Sequence, residues 1–158
     1  MLDQIVHAAT TDATADEVTP AMAVGNEWTS QRIAWLRSYH LANREGLAGP
    51  TREATWAAVE FGAVLGSARM KLTDQAGVVE AGIWLTRSAR GRGIGSAVMK
   101  AIIAEATKAG ARELCADTAE TNFAALGALR RLCFDFDAAI DGRVRAHLVF
   151  KPEEKPHH

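Results

Sequence analysis

The chain has 158 residues, with 18 Lys+Arg against 19 Asp+Glu and a formal net charge of −1, a length that suits one domain burying about two-thirds of its unfolded surface without a disulfide or metal staple. With 48% hydrophobic and 23% charged residues it reads as an ordinary soluble globular protein. The charge balance excludes a protein that relies on a globally basic surface for nucleic acid, and no uncharged stretch approaches the ~20 apolar residues of a membrane span.

Cys115 and Cys133 form no CxxC motif and no zinc-spaced cluster, so both are expected to be reduced and buried, as in a cytoplasmic protein. The opening MLDQIVHAAT has no basic stretch ahead of an apolar run, so no signal peptide is expected. Ile5 to Ala8 reads as a short first strand. Ser30 to Leu41 reads as a helix behind the cap Thr29 or Ser30, with Ile33/Leu36 and Trp35/Tyr39 at helical spacing. TWAAVE and AVLGSARMKL, separated by Phe61-Gly62, read as a hairpin. In the next strand Val79, Ala81, Ile83 and Leu85 alternate with Glu80, Gly82, Trp84 and Thr86, which puts the two sets on opposite faces. An alanine-rich helix follows from about Gly95 to Ala109, closed by Gly110. Then come the strand ARELCADT, a short helix from Asn122 to Arg131, the segment CFDFDAA, a turn at Asp141-Gly142 and a last strand RVRAHLVF. Residues 1–150 are expected to form one domain. Residues 151–158 read as a charged, disordered tail in which His157-His158 could be a tag remnant.

The strongest local signal is the bend Arg90-Gly91-Arg92-Gly93-Ile94-Gly95-Ser96 between a strand and a helix. A helix N-terminus offers unpaired N–H groups and partial positive charge, and together these bind phosphate. Glycines let the phosphate approach the backbone. A dinucleotide fingerprint fails, because its third glycine would fall on Ser96 or Val98, and no GxxxxGK[ST] loop is present. The spacing that fits is R/Q-x-x-G-x-G/A, here Arg90, Gly93 and Gly95.

With this loop the sequence resembles the GCN5-related N-acetyltransferases, the GNAT superfamily, whose motif it is for the pyrophosphate of coenzyme A. Asn122-Phe123-Ala124-Ala125, followed by Leu132-Cys133-Phe134, resembles the family's N-x-x-A/S…GF segment. The resemblance covers about residues 55 to 150. It implies an α+β fold in three α/β/α layers, with a mixed sheet of about seven strands and about four helices. It further implies acetyl-CoA as cofactor, a primary amine or peptide N-terminus as acceptor, no nucleic acid or membrane partner, and homodimers in many relatives.

Carried over by position, the backbone N–H groups from Arg92 to Ser96 would hold the pyrophosphate, with Arg90 and Gly91 opening the loop and Gly93, Ile94 and Gly95 forming it. The main chain of Leu85 would pair with the pantetheine arm, Ile83 N–H would face the thioester oxygen, and Asn122 would stand beside the arm. Glu80, ten residues before Arg90, is the candidate general base, as in phosphinothricin-acetyltransferase-like members. Glu80-Ala81-Gly82-Ile83-Trp84-Leu85 also resembles the E-x-G-x-W-L of ribosomal-protein N-terminal acetyltransferases. A strand glutamate in such an alternation is otherwise simply a solvated face.

Many relatives carry a tyrosine seven residues after the asparagine as general acid. Here that position is Leu129, which fits core packing, and the one tyrosine is Tyr39. Cys133 replaces the family's glycine and reads as a small buried hydrophobe rather than a catalytic thiol. Trp28, Trp35 and Tyr39 fall where relatives wall the acceptor pocket. Asp117, Asp135 and Asp137 could draw a cationic amine, Asp135 and Asp137 otherwise facing solvent. His147 reads as a satisfied histidine and the RVRA cluster as a solvated turn. The expected activity is acetyl transfer to a primary amine by direct attack in a ternary complex. The alternative is a catalytically degenerate acyl-CoA-binding sensor or assembly subunit.

Overall fold

The computed structural model describes residues 1–22 and 25–151. The expected tail from residue 152, with His157-His158, lies outside the described residues. Six strands form one sheet in the order β1-β2-β3-β4-β6-β5. The strands are β1 (Glu53–Glu60), β2 (Ala63–Leu72), β3 (Val78–Leu85), β4 (Glu113–Ala119), β5 (Asp135–Phe136) and β6 (Arg143–Val149). Only β3 and β4 run parallel; the other neighbours are antiparallel. The helices are α1 (Leu2–Asp12), α2 (Ala15–Val18), α3 (Ser30–Ala42), α4 (Ile94–Lys108) and α5 (Phe123–Arg131). This is the expected α+β architecture with a mixed sheet.

One expected strand is absent. Ile5 to Ala8 lies inside α1, because Leu2, Ile5, Val6 and Ala9 recur at helical spacing, and Ile5, Val6 and Ala9 are buried. The β-branched Thr10 and Thr11 are tolerated there by donating their hydroxyls to Val6 O (2.9 Å) and His7 O (2.6 Å).

The hairpin β1–β2 turns on Phe61 and Gly62, both at positive φ (49° and 77°), as a two-residue primed turn requires. The alternation along β3 separates two clusters. Val79 and Ala81 join Ala68, Met70, Met99, Ile102, Ala106, Leu114 and Ala146 in the main core under α4 and α5. Trp84, from the other set, packs with Val6, Ala9 and Leu36 of α1 and α3. Helices therefore lie on both faces.

Cys133 departs from expectation: it is exposed, at φ +67°. It follows the C-cap of α5, where Cys133 N–H donates to Arg130 O (3.0 Å) and Phe134 N–H to Leu129 O (3.0 Å). These two bonds form a Schellman motif, whose first residue past the cap must be left-handed and whose next residue returns to the core. Phe134 and Leu129 accordingly meet in the main cluster. The left-handed conformation, not a need for burial, is what a glycine at this position would satisfy. Cys133→Gly is expected to stabilise the chain by about 0.5–1 kcal/mol, the left-handed penalty of a side chain less the extra unfolded freedom of glycine. That is about 2 °C in a thermal melt of a domain this size; an unchanged or lower Tm would contradict it.

Candidate active site

β3 pairs with β4 only from Val78↔Glu113 to Ala81↔Ala116. Beyond that point β3 continues to Leu85 against β2, while β4 continues to Ala119 against β6. The two parallel strands thus part company and leave a split. Thr86 N–H donates towards β2, to Leu65 O (2.8 Å). Successive residues of a strand turn their polar groups to opposite edges, so Leu85 and Ile83 point theirs into the split. There Ile83 N–H has no strand partner among the described residues, and Leu85 O accepts from Arg90 Nη2 (3.1 Å).

The split leads into the glycine loop. Gly91 and Gly93 stand at φ 74° and 75°, and Gly93 is the left-handed N-cap of α4 without a side-chain cap. The first helical bond runs from Ala97 N–H to Gly93 O (3.2 Å), so the N–H groups of Ile94, Gly95 and Ser96 have no acceptor within the helix. A Cβ on Gly91 or Gly93 would meet no atom within 4 Å, while one on Gly95 would lie 3.6 Å from Leu85 Cδ1. The loop therefore presents bare backbone donors to open space, and its residues fit a phosphate-bearing group. Arg90 donates to Glu17 on α2 (2.7 Å), and Arg92 pairs with Glu60 at the end of β1. Ser88 Oγ donates to Asp12 (2.5 Å), fastening α1 to the approach of the loop.

On the face of β3 opposite α4, Glu80 accepts from Arg69 Nη2 (2.9 Å). Arg69 also pairs with Glu53 (3.5 Å), which accepts from Tyr39 Oη (2.7 Å). Burial, with the Glu53 carboxylate beside it, raises the Tyr39 phenol above its ordinary range. Burial opposes the charge of Arg69, but the hydrogen bond and attraction of Glu80 prevail and raise its pKa. Gly82 makes room for this arrangement: it is the cross-strand partner of Arg69, and a Cβ there would lie 2.7 Å from Arg69 Nε. Arg69 and Glu53 were not singled out in the sequence; the available signal was the hairpin register that sets Arg69 opposite Gly82.

The other predicted positions disperse. Asn122 is exposed and caps α5, accepting from Ala125 N–H (3.2 Å). Leu129 is buried in the main core, so the position of the usual tyrosine carries packing. Trp35 and Tyr39 stack with ring centroids 5.0 Å apart, and Trp28 Nε1 donates to Ala13 O (3.0 Å). His40 packs edge-on against Tyr39, with burial lowering its pKa and Glu53 opposing that shift. Asp135 is exposed. His147 is satisfied as expected, between Asp137 (2.7 Å) and Glu113 (3.3 Å). No group of three or more metal-ligating side chains occurs among the described residues. None of the described helices is long and apolar enough to cross a membrane.

No curated protein matches the sequence. Solved structures share the fold. An N-acetyltransferase from Staphylococcus aureus Mu50 is 23% identical, with 95% of this chain and 93% of that chain covered at a TM-score of 0.69. YncA of Salmonella typhimurium, solved with its cofactor acetyl-CoA, is 18% identical over 98% and 92% of the two chains at 0.67. The ribosomal-protein-alanine N-acetyltransferase of Brucella melitensis is 18% identical over 94% of each chain, also at 0.67. The family model described as the acetyltransferase (GNAT) family matches residues 21–134, and with a glycine loop opening α4 beside a parted pair of parallel strands, the chain belongs to that family.

Proposed function

We propose that the chain transfers an acetyl group from acetyl-CoA to a primary amine by direct attack within a ternary complex. The observation that carries this reading is the continuity of the split with the loop: the unpartnered main chain at Ile83 runs through Leu85 into the uncapped start of α4. When bound, acetyl-CoA supplies an acyl group already activated as a thioester. The N–H groups from Arg92 to Ser96 hold its pyrophosphate, with Arg90 and Arg92 as flanking charges and Gly91, Gly93 and Gly95 as the open floor. Leu85 offers its main chain to the pantetheine arm as an added strand would, and the exposed Asn122 stands beside it. Ile83 N–H donates to the thioester oxygen. Charge on that oxygen grows as the amine attacks, so a fixed donor there favours the transition state over the ground state. Glu80 takes the proton of the amine, directly or through water. With Leu129 in the core, no side chain at that position could supply the proton needed by the leaving thiol, which leaves water as its source.

The test is thermal unfolding with and without acetyl-CoA, run beside free-thiol release on a panel of amines and peptides. At 100 times Kd the ligand should add ~2.7 kcal/mol, a rise of about 5–10 °C for this size. A rise with thiol release is the expected result. A rise with no turnover on any acceptor would favour the degenerate acyl-CoA-binding reading, and no rise would overturn both.

A further inference from the structure

The sheet beyond the split holds charges that acetyl transfer as derived above does not use. Leu114, Ala116, Val144 and Ala146 are buried, and Leu114, Ala116 and Ala146 belong to the core under α4, so alternation sends Cys115, Arg143, Arg145 and His147 to the opposite face. This is the face that carries Glu80. The His147 ring there lies between Asp137 and Glu113, and one cation, Arg143, is matched by Asp117 (3.1 Å). Arg145 is not. Among the described residues it makes no ion pair, and its Nη2 instead contacts Cys115 Sγ (3.2 Å).

That sulfur is a landmark. Cys115 is buried to 1% exposure and is the register partner of Glu80 across β3–β4. Burial pushes its thiol up, Arg145 pulls against that shift, and the carboxylates of Glu80 and Glu113 add to it. Yet Glu80 and Arg145 do not pair with each other; Glu80 is held by Arg69. A carboxylate and an unmatched guanidinium thus flank a buried sulfur at the closed end of the split, just before the strands part after Ala81↔Ala116. A thiol is a weak acceptor, so Arg145 gives up little on exchanging it for a carboxylate, which its planar fork can bind through two hydrogen bonds.

We infer that the acceptor is a free α-amino acid, its amino group received at Glu80 and its carboxylate at Arg145. The inference rests on the transfer reading for the chemistry, but its charge geometry can be tested by binding alone. A protein N-terminus, whose α-carboxylate is tied up in a peptide bond, lacks the group that Arg145 would hold.

The full chain is titrated calorimetrically with a panel of L-amino acids, each beside its amide and its decarboxylated amine. The expected result is an amino acid bound at least ~10-fold tighter than its amide and amine. Arg145→Gln should abolish that preference, and Arg143→Gln, which removes a cation already matched by Asp117, should keep it. Circular dichroism and melting of each variant establish that it is folded. The inference is overturned if no amino acid of the panel binds, if acid and amide bind alike, or if the preference survives in Arg145→Gln. Because none of these readouts needs turnover, a carboxylate-dependent site would stand even if acetyl-CoA produced no shift. Conversely, an active transferase that ignores the carboxylate would remove the amino-acid assignment alone.

Discussion

Replacing Glu80 by glutamine is expected to lower kcat for amine acetylation by ~10²–10⁴-fold, the usual contribution of a positioned general base. Glutamine retains an oxygen to accept the hydrogen bond that Arg69 now makes with Glu80 at 2.9 Å, so the side chain keeps its place and loses only its ability to take a proton. The stability change should be small. Both partners of the Arg69–Glu80 pair are 36% exposed, and pairs of that kind contribute about 0–1 kcal/mol. The acetyl-CoA melting shift should persist in this variant, because the loop from Arg90 to Ser96 is untouched. Steady-state rates on one good acceptor, paired with that shift, read both effects. A loss of less than about threefold in kcat would place the base elsewhere.

The second large effect falls on folding. In the β1–β2 register Ala58 faces Gly66 but Val59 faces Val64, so Leu65 is the extra residue of a β-bulge. The bulge aims Leu65 O at Thr86 N–H (2.8 Å) just past the end of β3. Directly behind it, a Cβ on Gly66 would lie 2.1 Å from Trp84 O and 3.0 Å from Leu85 Cα. Backbone atoms, not a flexible side-chain tip, would have to move. Gly66→Ala is therefore expected to cost about 3 kcal/mol or more, at the upper end of overpacking effects. That corresponds to a fall of about 6–12 °C in Tm. Since the displaced residues border the split, coenzyme A affinity should fall with it. A urea midpoint within experimental error of the parent would show that β2 can slide away from β3 without loss.

What was legible in the sequence tracks how local its physical cause is. The strand β3, the glycine bend and α4 were readable because alternation, positive-φ glycines and apolar periodicity act within a few residues. The short run Ile5 to Ala8, with its β-branched Ile5 and Val6, resembles a strand unless Leu2 and Ala9 are counted with it. Cys133 was misread because its surroundings come from the helix end before it, not from its own polarity. The chain from Tyr39 through Glu53 and Arg69 to Glu80, and the approach of Arg145 to Cys115, leave no signal in the local pattern. They depend on cross-strand registers, Arg69↔Gly82 and Cys115↔His147 among them, that join residues far apart in the chain.

The ion pairs that hold the loop arginines carry a consequence for ligand entry. Arg90 and Arg92 are each already neutralised by a carboxylate of the protein, Glu17 and Glu60. A phosphate that recruits these guanidiniums enters by exchange, one anion displacing another, rather than by expelling small ions from bare cations. The ionic-strength dependence of binding is then shallower than two free arginines would produce. The displaced partners also sit on different elements: Glu17 on α2, whose neighbour Asp16 holds the buried Arg32 of α3 (2.5 Å), and Glu60 at the tip of the first hairpin. Occupancy at the start of α4 would thereby be exchanged for slack in two other segments, α2 and the tip of the first hairpin.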